Sequence, residues 1–375
     1  MVDNLPNRSR SDLPRPDRPR KGRGAVSNRS GRYEAYETEA VDDGWSLADG
    51  GPEEAFAPRV QTQIGRDSSR KILARNQSPD VPFDRSINPY KGCEHGCIYC
   101  FARPTHAWLG LSPGLDFETR IFAKPDAADL LKRELAKASY RPAVIALGAN
   151  TDPYQPIERQ LKITRSLLEV LAETRHPTCI VTKSALVTRD LDIIGPMAER
   201  GLARVMVSVT TLDPGLARLM EPRAPAPARR LEALAALNAA GVPAGMLAAP
   251  MIPAINDGEL EALLEAARDV GAPSAGYVLL RLPLEIRDLF IEWLEAHFPD
   301  RAARVMKLVR ETRGGADYES AFGLRQRGRG PYADLLAKRF RLASKRLGLS
   351  KGDWEPDCSQ FVKPSSADRR QLSLL

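Results

Sequence analysis

The chain has 375 residues, 43% of them hydrophobic, and a formal net charge of +7. That size supports one large domain with an appendage, and no run of eighteen apolar residues offers a membrane span. Five cysteines, three of them clustered, are an odd set for a disulfide framework and point to a reducing cytoplasm. The first residues, Met1-Val-Asp-Asn-Leu-Pro6, contain no apolar h-region, so no secretory signal is expected there. Charge is unevenly placed: residues 1–32 carry +6, residues 33–57 carry −8, and residues 301–346 carry +9. Attraction to a polyanion is therefore expected near the C-terminal part or in the N-terminal tail.

Residues 1 to about 75 are rich in Arg, Pro, Ser and Gly, then in acids, with no sustained apolar period, and predict a disordered tail. From about residue 80, strand-like runs alternate with helix-like stretches. Strands are expected over 86–92, 143–148, 178–182, 203–209, 243–247 and 276–280. Between them, helices are expected over 125–138, 158–175, 191–200, 228–240 and 259–270; Gly201, Gly241 and Gly271 stop the last three. Such βα repeats imply a parallel sheet covered by helices. Units of one hand curl that sheet toward a barrel, and six repeats instead of eight leave it open. Residues 80–282 form this core, 283–350 a small helical and basic appendage, and 351–375 a tail. Helices are expected in the appendage over 284–297, 301–310 and 332–347.

Within the core, Cys93, Cys97 and Cys100 stand in the spacing C-x3-C-x2-C, just after the first strand. Three soft thiolates on one short loop can close on one side of an iron–sulfur cluster. They leave one iron of a four-iron cluster without a protein ligand, and an open metal position is where catalysis happens. The competing reading is a zinc-stabilised nucleic-acid-binding protein, with His95 or His106 completing a Cys3His site. Against it, zinc ligands usually come as two separated pairs, and no second pair is present.

The cysteine spacing, with the aromatic Tyr99 before the last cysteine, resembles the radical SAM enzyme superfamily. The resemblance covers residues 80–282 and implies a partial (β/α)6 barrel with one 4Fe–4S cluster. It also implies S-adenosylmethionine on the open iron and a one-electron reductant such as flavodoxin or ferredoxin. It places Tyr99 over the adenine. Gly148-Ala-Asn150 occupies the place of a Gly-Gly-Glu-like turn that binds the methionine amino group, but no glutamate stands there. Asn150, Thr151 or Asp152 must take that contact. Lys183, at the end of the third strand, pairs with the methionine carboxylate, and Ser208, at the end of the fourth, suits the ribose. Met251 falls in a patch that lines the adenine or is plain core.

The phrases Cys97-Ile-Tyr-Cys-Phe-Ala-Arg-Pro-Thr-His106, Asn150-Thr-Asp-Pro-Tyr-Gln-Pro-Ile-Glu158 and Val181-Thr-Lys-Ser184 resemble the branch related to spore photoproduct lyase, often labelled DNA repair photolyase-like. That branch member carries a hydrogen-donating cysteine near the end of strand two. Here the neighbourhood reads Asn150-Thr-Asp152, and Tyr154 is an alternative donor. Cys179 reads as a buried inert thiol and Cys358 as an exposed one. A loop over 313–332 interleaves Arg313, Arg325, Arg327 and Arg329 with Tyr318, Phe322 and Tyr332. Arginines with aromatics can hold single-stranded nucleic acid; equally, such a loop can cap an open barrel with its arginines paired. Nucleic acid is the leading substrate class.

Overall fold

Short aliphatic runs, each followed by an amphipathic stretch, build a sheet with helices on one face. The computed structural model describes residues 19–34, 60–349 and 356–364. Its strands are β1 (Gln63–Arg66), β2 (Leu73–Arg75), β3 (Arg85–Ile87), β4 (Tyr90–Lys91), β5 (Arg120–Ala123), β6 (Ile145–Leu147), β7 (Thr178–Thr182), β8 (Ala203–Ser208), β9 (Ala244–Met251) and β10 (Ala275–Leu279). A seven-stranded sheet runs β10-β9-β8-β7-β6-β3-β2. All its neighbours are parallel except β2, which pairs antiparallel with β3. A three-stranded sheet, β1-β5-β4, lies apart.

Helices α1 (Leu115–Thr119), α2 (Ala127–Leu135), α3 (Glu158–Leu161), α4 (Ile163–Glu173), α5 (Leu191–Glu199), α6 (Pro214–Met220), α7 (Pro227–Ala239) and α8 (Leu260–Asp269) fall within the α/β core. After β10 come α9 (Ile286–His297), α10 (Pro299–Glu311) and α11 (Pro331–Leu347), and Ala333, Leu336 and Ala343 of α11 join the core of the sheet. The expected order of strands and helices is therefore present.

The two faces of the sheet differ. Ile145, Leu147, Ile180, Val205, Val207 and Met246 are fully buried, in one core with Leu167, Leu171, Ile194, Leu234 and Leu263 of the helices. On the opposite pleat, Cys179, Val181, Arg204 and Leu247 are only half-buried. Helices cover one face, and the inner face stays partly accessible, as an open barrel requires.

Several expectations need correction. The first strand is split. Pro89 has no N–H to donate, so the chain leaves the large sheet after β3 and re-enters pairing as β4 in the small one. The helix expected over 158–175 breaks at Lys162, whose φ is 51°. There the Glu158 carboxylate accepts the Thr164 N–H at 3.1 Å, replacing a bond that a continuous helix would make. Glu158 is thus more than a first-turn acid, since it also accepts from Tyr90 Oη and pairs with Arg189 at 2.8 Å.

The expected tail is ordered in part. Ala25, Val26 and Ser27 are buried, and β1 and β2 lie within its span. Residues 1–18 and 35–59 lie outside the described residues, as do 350–355 and 365–375. Cys179 is half-buried, on the inner face beside Arg204, and burial pushes its thiol up to about 11. Cys358 is also half-buried, at the start of a short turn. Tyr154 is fully buried, its hydroxyl 3.1 Å from Asp190, inside the helix-covered core. Met251 is fully buried core.

The 313–332 loop bridges the two ends of the sheet. Leu279 N–H donates to the Gln326 carbonyl at 2.9 Å, alongside β10. Gly323 N–H donates to Asp80, in the β2–β3 loop, at 2.6 Å. Arg313 is buried and donates to the carbonyls of Leu280, at 2.5 Å, and Leu324, at 2.9 Å. Arg325 pairs with Asp80, and Arg329 lies 3.6 Å from Glu319. Arg313 and Arg325 serve the cap, because a guanidinium removed from water must find acceptors inside, whereas Arg329 is exposed.

Candidate functional site

The three-cysteine loop is held from behind by one arginine. Arg103, in the 3-10 helix Arg103–Leu109, is completely buried. It donates to the carbonyls of Cys97 (2.9 Å), Gly96 (3.0 Å), Pro113 (3.1 Å) and Gly114 (2.9 Å), and to Glu118 Oε1 at 2.5 Å. Its guanidinium also lies over the Phe117 ring at 5.3 Å. All five N–H donors are thereby matched. Glu118 in turn accepts the N–H groups of Gly24 and Ala25, at 3.0 and 2.8 Å, so the N-terminal segment clasps the same loop. Gly96 needs its φ of +68°, and a Cβ there would meet Glu118 Oε2 at 2.7 Å.

Cys93, Cys97 and Cys100 are free thiols. Burial pushes all three up, and for Cys93 the charges of Asp152, Cys97 and Cys100 add to it. The sulfurs therefore share one poorly solvated pocket, and the thiolate form needs a cationic partner there. Among the described residues, no three His, Cys, Asp or Glu side chains, the cysteine trio included, are drawn together as a metal site. Each histidine that might complete Cys3His has a ring nitrogen near a protein oxygen, while its buried Nδ1 makes no hydrogen bond among the described residues. His106 places Nε2 2.9 Å from the Arg120 carbonyl, and His95 places Nδ1 3.4 Å from Asp152. The donor set is three soft sulfurs on one loop, which suits a cluster with an open corner better than one zinc.

The strand ends bring several expected residues to this loop. Lys183 Nζ lies 5.7 Å from the Tyr99 ring centroid and 3.3 Å from Ser208 Oγ. Tyr99 is buried, with its hydroxyl on Glu221 and 3.3 Å from Thr210 Oγ1. Burial pushes the Glu221 carboxyl up, even though Arg230 is paired with it. So Tyr99, Lys183 and Ser208 gather at one rim, with Tyr99 anchored by acid–arginine contacts behind it.

The end of β6 behaves differently. Gly148 has φ +85°, and a Cβ there would meet the Val181 carbonyl at 2.2 Å, so only glycine passes. Thr151 is buried and donates to the Tyr90 carbonyl at 2.8 Å. Asp152 accepts from Thr182 Oγ1 at 2.7 Å, Lys183 N at 2.7 Å and Tyr154 N at 2.9 Å. Of these three expected residues, only Asn150 has a side chain with no hydrogen bond recorded among the described residues.

Burial would raise the Asp152 carboxyl, but His95 and the donors from Lys183 and Thr182 outweigh it and bring it down to about 2. A folded value below the unfolded one means the carboxylate stabilises the fold above the unfolded pKa. That contribution is lost as pH falls from about 4 to about 2. Asp152→Asn is expected to cost about 2 kcal/mol at pH 7, and urea titrations of both proteins should converge toward pH 2.

Arg103, Glu118, Glu221 and Arg230 escaped sequence reasoning. Their side-chain partners lie 9 to 122 residues away, beyond any helix or strand period. The one available signal was the run of charged residues hugging the cysteine motif.

Comparison with known proteins decides the family. A family model described as the radical SAM superfamily matches residues 87–267. An uncharacterized protein of Mycobacterium tuberculosis is 38% identical over 242 residues, covering 63% of this chain and 71% of the relative. The chain belongs to the radical SAM superfamily. An uncharacterized protein of Methanocaldococcus jannaschii is 30% identical to this radical SAM protein over 173 residues, 46% of this chain and 62% of the relative. Among solved structures, spore photoproduct lyase complexed with dinucleoside spore photoproduct aligns with a TM-score of 0.52 and 17% identity. It covers 76% of this chain and 80% of that one. A double mutant of the same lyase with bound AdoMet and dinucleoside spore photoproduct aligns equally, at 16% identity. At that identity the likeness is one of fold. No helix among the described residues of this radical SAM protein is long and apolar enough to cross a membrane.

Proposed function

We propose that this radical SAM protein cleaves S-adenosylmethionine reductively at a 4Fe–4S cluster on Cys93, Cys97 and Cys100, and acts on a nucleic-acid strand. The observation that carries the reading is the convergence of the three-cysteine loop, Tyr99, Lys183 and Ser208 at the C-terminal rim of a parallel sheet. Held by Cys93, Cys97 and Cys100, a cluster with S-adenosylmethionine would supply one-electron cleavage of the sulfonium carbon–sulfur bond and, through it, hydrogen abstraction from the substrate.

The chain's own part is to hold and orient. Arg103 and Glu118 fix the loop that presents the sulfurs. Lys183 meets the methionine carboxylate as a point charge. Ser208 meets the ribose, Tyr99 backs the adenine, and the Asn150 amide takes the methionine amino group. Thr151 and Asp152 shape that turn from within. An external one-electron reductant, of the flavodoxin or ferredoxin kind, supplies the electron.

Nucleic acid as substrate is supported by the basic excess over 301–346 and by the substrate named for the lyase. The lyase reaction itself is not proposed, because Asn150-Thr151-Asp152 stands where a donor cysteine would be needed. Anaerobic reconstitution tests the reading. About four irons per chain, an EPR signal on reduction and 5′-deoxyadenosine formed from added cofactor are expected. A colourless protein holding one zinc would overturn it.

A further inference from the structure

Arg281 stands just beyond β10, where the sheet's C-terminal rim meets the cysteine loop. Its guanidinium lies over the ring of Phe101, 5.2 Å from the centroid, and Phe101 directly follows Cys100. The side chain is half-buried. Its Nε is out of contact with water and has no hydrogen-bond partner among the described residues. No carboxylate among the described residues pairs with it. Asp80 feels its charge, but one Asp80 oxygen takes the Gly323 N–H and the other takes Arg325. Arg313, close enough to feel the same charge, is turned onto backbone carbonyls. The rim therefore holds a partly desolvated guanidinium with an aromatic under one face and, among the described residues, no acceptor for its buried Nε.

A guanidinium stacked in this way keeps its edge free for a bidentate anion. Leaving it unmatched costs stability, so the group calls for an acceptor from water or from a ligand. The cap offers a second exposed aromatic, Phe322, beneath an Arg325 that is itself paired with Asp80. Phe101 also leaves 44% of its surface exposed. A stacked arginine beside exposed aromatic faces suits a strand that offers phosphates and bases together.

We propose that Arg281, stacked on Phe101, grips a backbone phosphodiester of the substrate strand and sets the reacting nucleotide over the cysteine loop. This rests on the radical SAM reading above and names the group by which that site takes its substrate.

The test is fluorescence anisotropy of the full, cluster-loaded chain with fluorescein-labelled decathymidine, across a salt series. Arg281→Ala is expected to weaken binding about tenfold and to lower the slope of log affinity on log salt by about 0.7. Arg281→Lys keeps the charge without the fork and is expected to recover the slope but not the full affinity. Thermal midpoint and iron content show whether each variant is folded and loaded; if alanine is not tolerated, the lysine variant alone decides. Unchanged affinity and slope in these variants overturn the proposal. So does equal binding of a labelled ten-residue glutamate peptide, which makes the site a general anion trap. A wild-type chain that cleaves cofactor yet binds no oligonucleotide overturns the proposal and leaves the radical SAM reading standing. A chain without iron overturns both.

Discussion

Alanine at Cys93, Cys97 or Cys100 is expected to abolish cofactor cleavage, with iron falling from about four per chain to near zero. Each sulfur sits on one short loop, and no other cysteine is near enough in the chain to substitute. Cys179 lies within β7, on the inner face of the sheet, and Cys358 lies in the C-terminal segment. Two thiolates hold a cluster poorly, and the loss is expected to exceed a thousandfold, about 4 kcal/mol of barrier at least. Iron assay and 5′-deoxyadenosine formation, measured on anaerobically reconstituted variants, check this. Any single alanine variant that retains full cleavage would remove the cluster from the mechanism. The thiols' upward shifts bear on loading as well. Burial holds them protonated at neutral pH, so reconstitution must release protons and should become easier as pH rises.

Arg103→Met is the second large effect. The change leaves Glu118 charged, buried and short of its counterion, and removes the donors that brace Gly96, Cys97, Pro113 and Gly114. Breaking one side of a buried pair costs about 3–5 kcal/mol, a large share of a stability of about 5–15 kcal/mol. The urea midpoint should fall accordingly, and iron retention should fall with it, because the loop that presents the sulfurs loses its brace. Arg103→Met with Glu118→Leu removes the stranded charge and should recover much of the stability. Iron retention should recover less, since four loop carbonyls still lack their donor. Equal recovery of both would mean that Arg103 contributes only through its charge. A wild-type-like urea midpoint for Arg103→Met would contradict the brace altogether.

A gradient in legibility runs through the molecule. The six parallel strands and their helices were readable because each is a local pattern: an apolar run, a helical period, a glycine stop. The cysteine loop was readable because its chemistry lies within eight residues. The split at Pro89 was less so, since a proline can end a strand or sit at its edge, and only the β4–β5 pairing shows which occurred. The tail misled in the opposite direction. Arg23, Gly24 and Ala25 look like solvated linker by composition, yet they reach Glu118 across more than ninety positions. The cap misled in a third way. Arg313 and Arg325 looked available for a polyanion, but one is buried on carbonyls and the other paired to Asp80. Arg281, which carried no motif at all, keeps a buried Nε with no hydrogen-bond partner among the described residues.

The residues alone determined the sheet, its helices, the thiol trio and the family they resemble, because spacing along a chain encodes period and ligand count directly. Only the folded chain decided which charges are matched. Matching depends on which distant carbonyl or carboxylate arrives beside a guanidinium, and on how much water is left when it does. Burial then turns those meetings into energies, holding Arg103 as a brace, Asp152 as a clasp and Arg281 as an open hand.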